Sequence, residues 1–209
     1  MAMPFTVQQF YEVFTHYNEA IWPIQFLLYA TALIALALAF TEKRRAHRTI
    51  GVLLSGLWFW SGLVYHLVFF TRINAAAWLF GMLFILAAAA FIWFGAVKQR
   101  LHFRPVSNLH SISGLVLILY ALVIYPLIGF YSGHHYPALP TFGVPCPLTI
   151  FTLGILLLTD PPAPFQVLII PVLWAVIGSV AVFRFGVIQD IGMLVAAAVI
   201  LLFRIARPH

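Results

Sequence analysis

The side chains able to do chemistry are few, and they fall in three places. Near the start, Glu12, His16 and Glu19 stand at i, i+4 and i+7, which on a helix puts two carboxylates and an imidazole within roughly 60° of one another. These atoms suit a divalent cation or proton handling. They also suit the solvated side of an interfacial amphipathic helix. The second place is the uncharged stretch 131–147, with adjacent His134 and His135, four prolines, and Cys146 held between Pro145 and Pro147. His134, His135 and Cys146 form a candidate soft-metal set of the kind copper(I) or zinc would take, at a spacing that matches no standard motif; the other reading is a packed, hydrogen-bonded lid folded back onto the protein. The third place is the apolar interior, where His66, Arg184 and Asp190 with its neighbour Gln189 stand. Ionisable groups at membrane depth are costly and raise a functional hypothesis by default, although Arg184 and Asp190 are equally expected as an intramembrane polar pair fixing a short turn.

Thr149, Thr152 and Thr159 continue from Cys146 along one broad helical face toward Asp160. This stripe could line a path; the competing reading is threonines bonded to their own helix or joining helices. Pro145 and Pro147 fit a first helical turn, where their missing amides would have no partner in any case.

The elements that must position these groups follow from composition. The chain has 209 residues, 64% apolar and 8% charged, against roughly a quarter charged in a soluble domain. That excludes an ordinary cytosolic enzyme, a disordered tail and a nucleic-acid binder despite a formal charge of +6. A single cysteine excludes an internal disulfide and multi-cysteine zinc or iron–sulfur sites. The expected class is an all-α integral membrane protein in contact with the lipid bilayer.

A hydrocarbon core of about 30 Å needs roughly 20 apolar residues per helix. Seven runs qualify: Trp22–Phe40, Ile50–Phe70, Asn74–Val97, Ser111–Tyr131, Pro145–Thr159, Val167–Phe183 and Gly186–Phe203. An amphipathic helix precedes them at 6–21, where Thr6 and Gln9 fit a capping box and Phe10, Val13, Phe14, Tyr17 and Ile21 share one face. Trp22-Pro23 then bends the chain into the first run. Lys43, Arg44, Arg45, Arg48, Lys98, Arg100, Arg104, Arg204 and Arg207 fall on one side of a seven-span arrangement, against Arg72 and Arg184 on the other. The positive-inside rule makes the former cytoplasmic, hence N-out and C-in. The first run reads as a span, because the basic cluster follows it, where a signal peptide would carry its cations in front. Residues 1–209 read as a single membrane domain.

Met3-Pro-Phe-Thr-Val-Gln-Gln-Phe10 with His16-Tyr-Asn-Glu-Ala-Ile-Trp-Pro23, the stretch His135-Tyr-Pro-Ala-Leu-Pro-Thr-Phe-Gly-Val-Pro-Cys-Pro-Leu-Thr149, and Asp190-Ile-Gly-Met-Leu-Val-Ala196 resemble an uncharacterised family of small bacterial multi-pass membrane proteins. The likeness covers essentially the whole chain. It implies a bacterial cytoplasmic (inner) membrane protein and supplies no activity.

Three functional classes follow. The first is a transporter or channel-like protein for a small solute or ion. Its outer vestibule would be built from Glu12, His16, Glu19, His66, His134, His135 and Cys146, with Thr149 and Thr152 below. The second is a membrane-embedded metalloenzyme or redox protein holding a transition metal or haem on the same residues. The third is a non-catalytic subunit or assembly factor, with a membrane-complex partner or a second copy of itself. No Ser-His-Asp set, phosphate-binding glycine loop or HExxH motif is legible, which weighs against an enzyme.

Overall fold

The computed structural model describes residues 4–206, and Arg207, one of the cations counted above, lies outside them. The described residues form helices α1 (Val7–Ile21), α2 (Ile24–Ala39), α3 (Arg44–Arg72), α4 (Ala77–Val97), α5 (Leu109–Tyr131), α6 (Pro145–Leu156), α7 (Phe165–Phe185) and α8 (Ile188–Ala206), with no regular sheet. Five of them, α3, α4, α5, α7 and α8, are long and apolar enough to cross a membrane, and α1 with α2 makes a pair bent by 89° that would count as a sixth. Outward-facing side chains such as Phe26, Leu27, Trp78, Leu79 and Val176 are exposed and apolar, a surface that suits lipid in place of water.

Local chemistry explains the boundaries. Thr6 Oγ1 accepts from the Gln9 amide at 3.2 Å and Gln9 Oε1 accepts from the Thr6 amide at 2.8 Å, closing the expected capping box of α1. Trp22 takes an extended conformation before Pro23, as the ring of a following proline requires. α3 starts at Arg44, six residues ahead of the expected run, because Ala46 and Ile50 are buried one turn apart while Arg44, Arg45 and Arg48 stay exposed.

α6 occupies the centre. Apart from Cys146, all of its residues are buried, the pattern of a helix apolar all round and surrounded by protein. It packs against α3, α5, α7 and α8. Closest approach is to α5, where a Cβ on Gly114 would stand 2.6 Å from the Gly154 carbonyl oxygen, so only glycine permits this spacing. Gly51 and Gly95 bring α3 and α4 together in the same manner.

The connections gather at two ends. At one, Arg44 bonds to Gln99, the Arg104 amide donates to the Leu158 carbonyl at 2.8 Å, the Asp160 amide to the His102 carbonyl at 2.9 Å, and Arg204 to the Ala163 carbonyl at 2.5 Å. This end collects the basic segments. At the other end α1 meets the 131–144 segment and the end of α7: Asn18 Nδ2 donates to the Pro137 and Leu139 carbonyls at 2.6 and 2.8 Å, and Tyr11 donates to the Phe185 carbonyl at 3.3 Å. The aromatic face of α1 is therefore not an interfacial one. Phe10, Phe14 and Tyr17 are buried against Phe185, Tyr65 and Phe69, because aromatic surface is available there on α3 and α7.

Candidate functional site

Under the inner face of α1 lies a cavity of about 220 Å³. Phe10 and Phe14 of α1, Tyr65, His66 and Phe70 of α3, and Trp174, Gly178, Ala181 and Phe185 of α7 wall it, with Cys146 at the start of α6, Phe80 of α4 and Asn74 between α3 and α4 also in the lining. Cys146 is the least buried residue of that helix, and its open side faces the cavity. Ser61–Phe69 forms a wide π-helical stretch within α3, a geometry that re-aims side chains and recurs at functional sites. It carries both Tyr65 and His66.

His66 is fully buried, and neither ring nitrogen has a hydrogen-bond partner. Its ring stands edge-on to Trp174 at 5.0 Å and tilted against Phe84 at 4.7 Å. The Trp174 Nε1–H is likewise buried without a partner: the indole approaches the Cys146 thiol but does not reach hydrogen-bond geometry. Buried donors of this kind are rare in folded proteins and call for an explanation.

Behind the cavity wall stands Asp190, 1% exposed in the first turn of α8. The Tyr125 hydroxyl donates to its Oδ1 at 2.6 Å, and the Cys146 thiol is set against the same carboxyl. Tyr120 closes the next layer, donating to the Gln189 carbonyl at 2.7 Å. Both of these neighbours of Asp190, Tyr125 and Cys146, are neutral. A carboxyl group in such surroundings exchanges charge only by holding or releasing a proton or a small cation. Cys146 joins the two parts, since it both lines the cavity and touches Asp190.

The residues expected from sequence separate into those brought together and those kept apart. His66, Cys146 and Asp190 converge. Arg184 does not join them: it is exposed at the end of α7 while Asp190 is buried on Tyr125 and Cys146, so the expected Arg184–Asp190 pair does not form. The left-handed turn at Gly186 lies between them. Thr149 and Thr152 are fully buried and donate to the Pro145 and Leu148 carbonyls at 2.8 Å, with Thr152 also accepting from Trp58 Nε1 at 3.0 Å. They serve helix packing and are not among the residues lining the cavity under α1. Glu12, His16 and Glu19 are exposed, Glu12 accepting from Gln8 at 2.8 Å, and Glu12 and His16 line a second pocket of about 230 Å³ with Arg72. His134 stacks on Tyr11 at 4.1 Å and His135 stands edge-on to Phe130 at 4.7 Å. Among the described residues no three His, Cys, Asp or Glu side chains gather as a metal site requires, so His134, His135 and Cys146 are not brought into one ligand set.

Residues 7–208 match the model of a family of unknown function, DUF6064. The chain belongs to the DUF6064 family. No curated protein and no solved structure matches it. In this DUF6064 chain the site therefore has to be read from its own geometry.

Two site residues escaped sequence reasoning. Tyr125 sits in an apolar run, and the signal available was Pro126: the stretch before it, Tyr120–Ile124, opens into a π-turn where the proline has no amide to return to the backbone. Trp174 carried no signal beyond its type, since anchoring, core and site tryptophans look alike in sequence.

Proposed function

We propose that the protein is a multi-pass carrier of a small solute, with the 220 Å³ cavity as its binding chamber and Asp190 as the group whose charge state is coupled to occupancy. The observation that carries this reading is the double contact of Cys146, with the chamber on one side and the buried carboxyl on the other. A solute entering the chamber presses on Cys146 and so on the Asp190–Tyr125 hydrogen bond. A proton gained or lost at Asp190 acts back on the chamber by the same contact, and such linkage is reciprocal.

In this reading α2 and the short, buried α6 also cross the bilayer, giving seven passes. The end bearing the basic segments then faces the cytoplasm by the positive-inside rule, and the chamber lies toward the opposite, outer face of a bacterial inner membrane. A short central helix interrupted by prolines at its start is a recurrent place for a transporter site. α6 answers to that description.

Proteoliposomes holding a pH-sensitive dye, given concentration steps of a panel of small neutral and charged solutes, test the proposal. The expected result is proton movement accompanying at least one solute. Asp190→Asn, which keeps an acceptor for Tyr125, should abolish the proton signal while solute binding persists. Solute flux that Asp190→Asn leaves fully proton-coupled, or no flux for any solute, would overturn it.

A further inference from the structure

The chamber's lining also states what it would hold. We infer that it takes a neutral, single-ring molecule bearing a hydroxyl oxygen, a phenol in chemical class, with the ring among the phenylalanines and the oxygen against His66 and Trp174. This deepens the carrier reading and rests on the same cavity.

Size comes first. A cavity of about 150 Å³ lined by apolar side chains accommodates a benzene ring, so about 220 Å³ accommodates a ring with a few substituent atoms and excludes a fused polycycle. The walls come second. Phe10, Phe14, Phe70 and Phe185 present ring faces and edges of the kind that pair with another aromatic ring.

The unpartnered groups select the substituent. Trp174 Nε1 is a donor and nothing else, and a neutral imidazole offers one donor and one acceptor. Both residues line the cavity and both are buried without partners. Their ring centroids lie 5.0 Å apart, edge to face, on one side of the cavity. A hydroxyl accepts from the indole N–H and donates to the imidazole nitrogen, satisfying two groups that otherwise stay desolvated and unpaired. A bare hydrocarbon satisfies neither. An organic cation would be drawn to the aromatic walls, but it brings no acceptor and would leave the indole N–H facing positive charge. No Asp, Glu, Lys or Arg is among the residues lining the cavity, so an inorganic ion meets no opposite charge there.

The protein contains a single cysteine, and Cys146 borders the chamber, so alkylation by N-ethylmaleimide reports occupancy directly. In nanodiscs, phenol at roughly ten times its dissociation constant should slow alkylation about tenfold, by mass action. Benzene should need more ligand for the same effect, and benzyltrimethylammonium should give no protection. Trp174→Phe keeps a ring and removes the N–H; it should weaken phenol binding about five- to tenfold, the worth of one hydrogen bond, and leave benzene unchanged, which also certifies the fold. Fluorine NMR of para-fluorophenol against fluorobenzene reads the same order without relying on thiol reactivity.

A longer para-alkyl chain separates the two sources of such a ring. Tighter binding of para-octylphenol assigns a lipid-borne head entering from the bilayer, and weaker binding assigns a free solute. Equal binding of phenol and benzene, preference for the ammonium, or no binding by either readout overturns the assignment. Phenol binding without proton-coupled flux would leave it standing and remove the carrier reading; flux of another solute without phenol binding would do the reverse.

Discussion

Glu12 and Glu19 on α1 and Asp190 at the start of α8 are carboxylates on helices at the same end of the molecule, yet they are held in unlike ways. The first two stand exposed beside His16, with Glu12 accepting from Gln8 one turn away at 2.8 Å. Asp190 is 1% exposed and receives Tyr125 at 2.6 Å with Cys146 beside it. In water a carboxylate is solvated well enough that nearby groups change little. Away from water each hydrogen bond becomes a condition for keeping the group there at all. The same chemical type is therefore solvated in one region and sealed among neutral partners in the other, and α1 itself shows the divide: its outer face carries the acids, its inner face walls the cavity.

The contrast can be broken or sharpened by substitution, with thermal unfolding in nanodiscs as the readout. The largest effect belongs to the inner face of α1. Phe10 stacks on Phe185 at 4.4 Å and meets Phe14 at 5.0 Å, beside a cavity that does not collapse to fill a gap, so Phe10→Ala should cost about 3–5 kcal/mol. Tyr125→Phe removes the hydroxyl from the buried carboxyl and should cost about 1–3 kcal/mol. The smallest effect belongs to the outer face: Glu12→Gln, His16→Ala and Glu19→Gln should each stay within about 0.5 kcal/mol. A loss for these three that exceeded the loss for Tyr125→Phe would reverse the comparison and return α1's exposed acids to the centre of the function.

Several features of the fold are local in origin and legible in the sequence. The capping box at Thr6 and Gln9, the apolar face of α1, the bend at Trp22-Pro23 and the breaks between apolar runs all depend on neighbours a few residues away, and local chemistry decides them. His66, Cys146 and Asp190 were legible as unusual for the same reason, being polar groups in an apolar setting. Their partnerships were not. Arg184 and Asp190 are six positions apart and look like a pair, but the turn at Gly186 leaves one outside and carries the other inward to Tyr125, 65 residues away. Thr149 and Thr152 look like a path until their hydroxyls are seen to return to their own helix.

The sequence by itself determined the all-helical, membrane-type class of this protein, because the scarcity of charge and the length of the apolar runs admit no other way to satisfy the backbone. It also determined which few residues could carry chemistry. Tertiary structure alone decided that α1 turns its aromatic face inward, that α6 is the buried centre, and that His66 and Trp174 are left without partners beside an open volume. The physical reason is range. Helix formation and hydropathy are properties of consecutive residues, whereas a cavity and a hydrogen bond between distant helices exist only where packing brings separate faces together, and no periodicity within one face records what will stand opposite it.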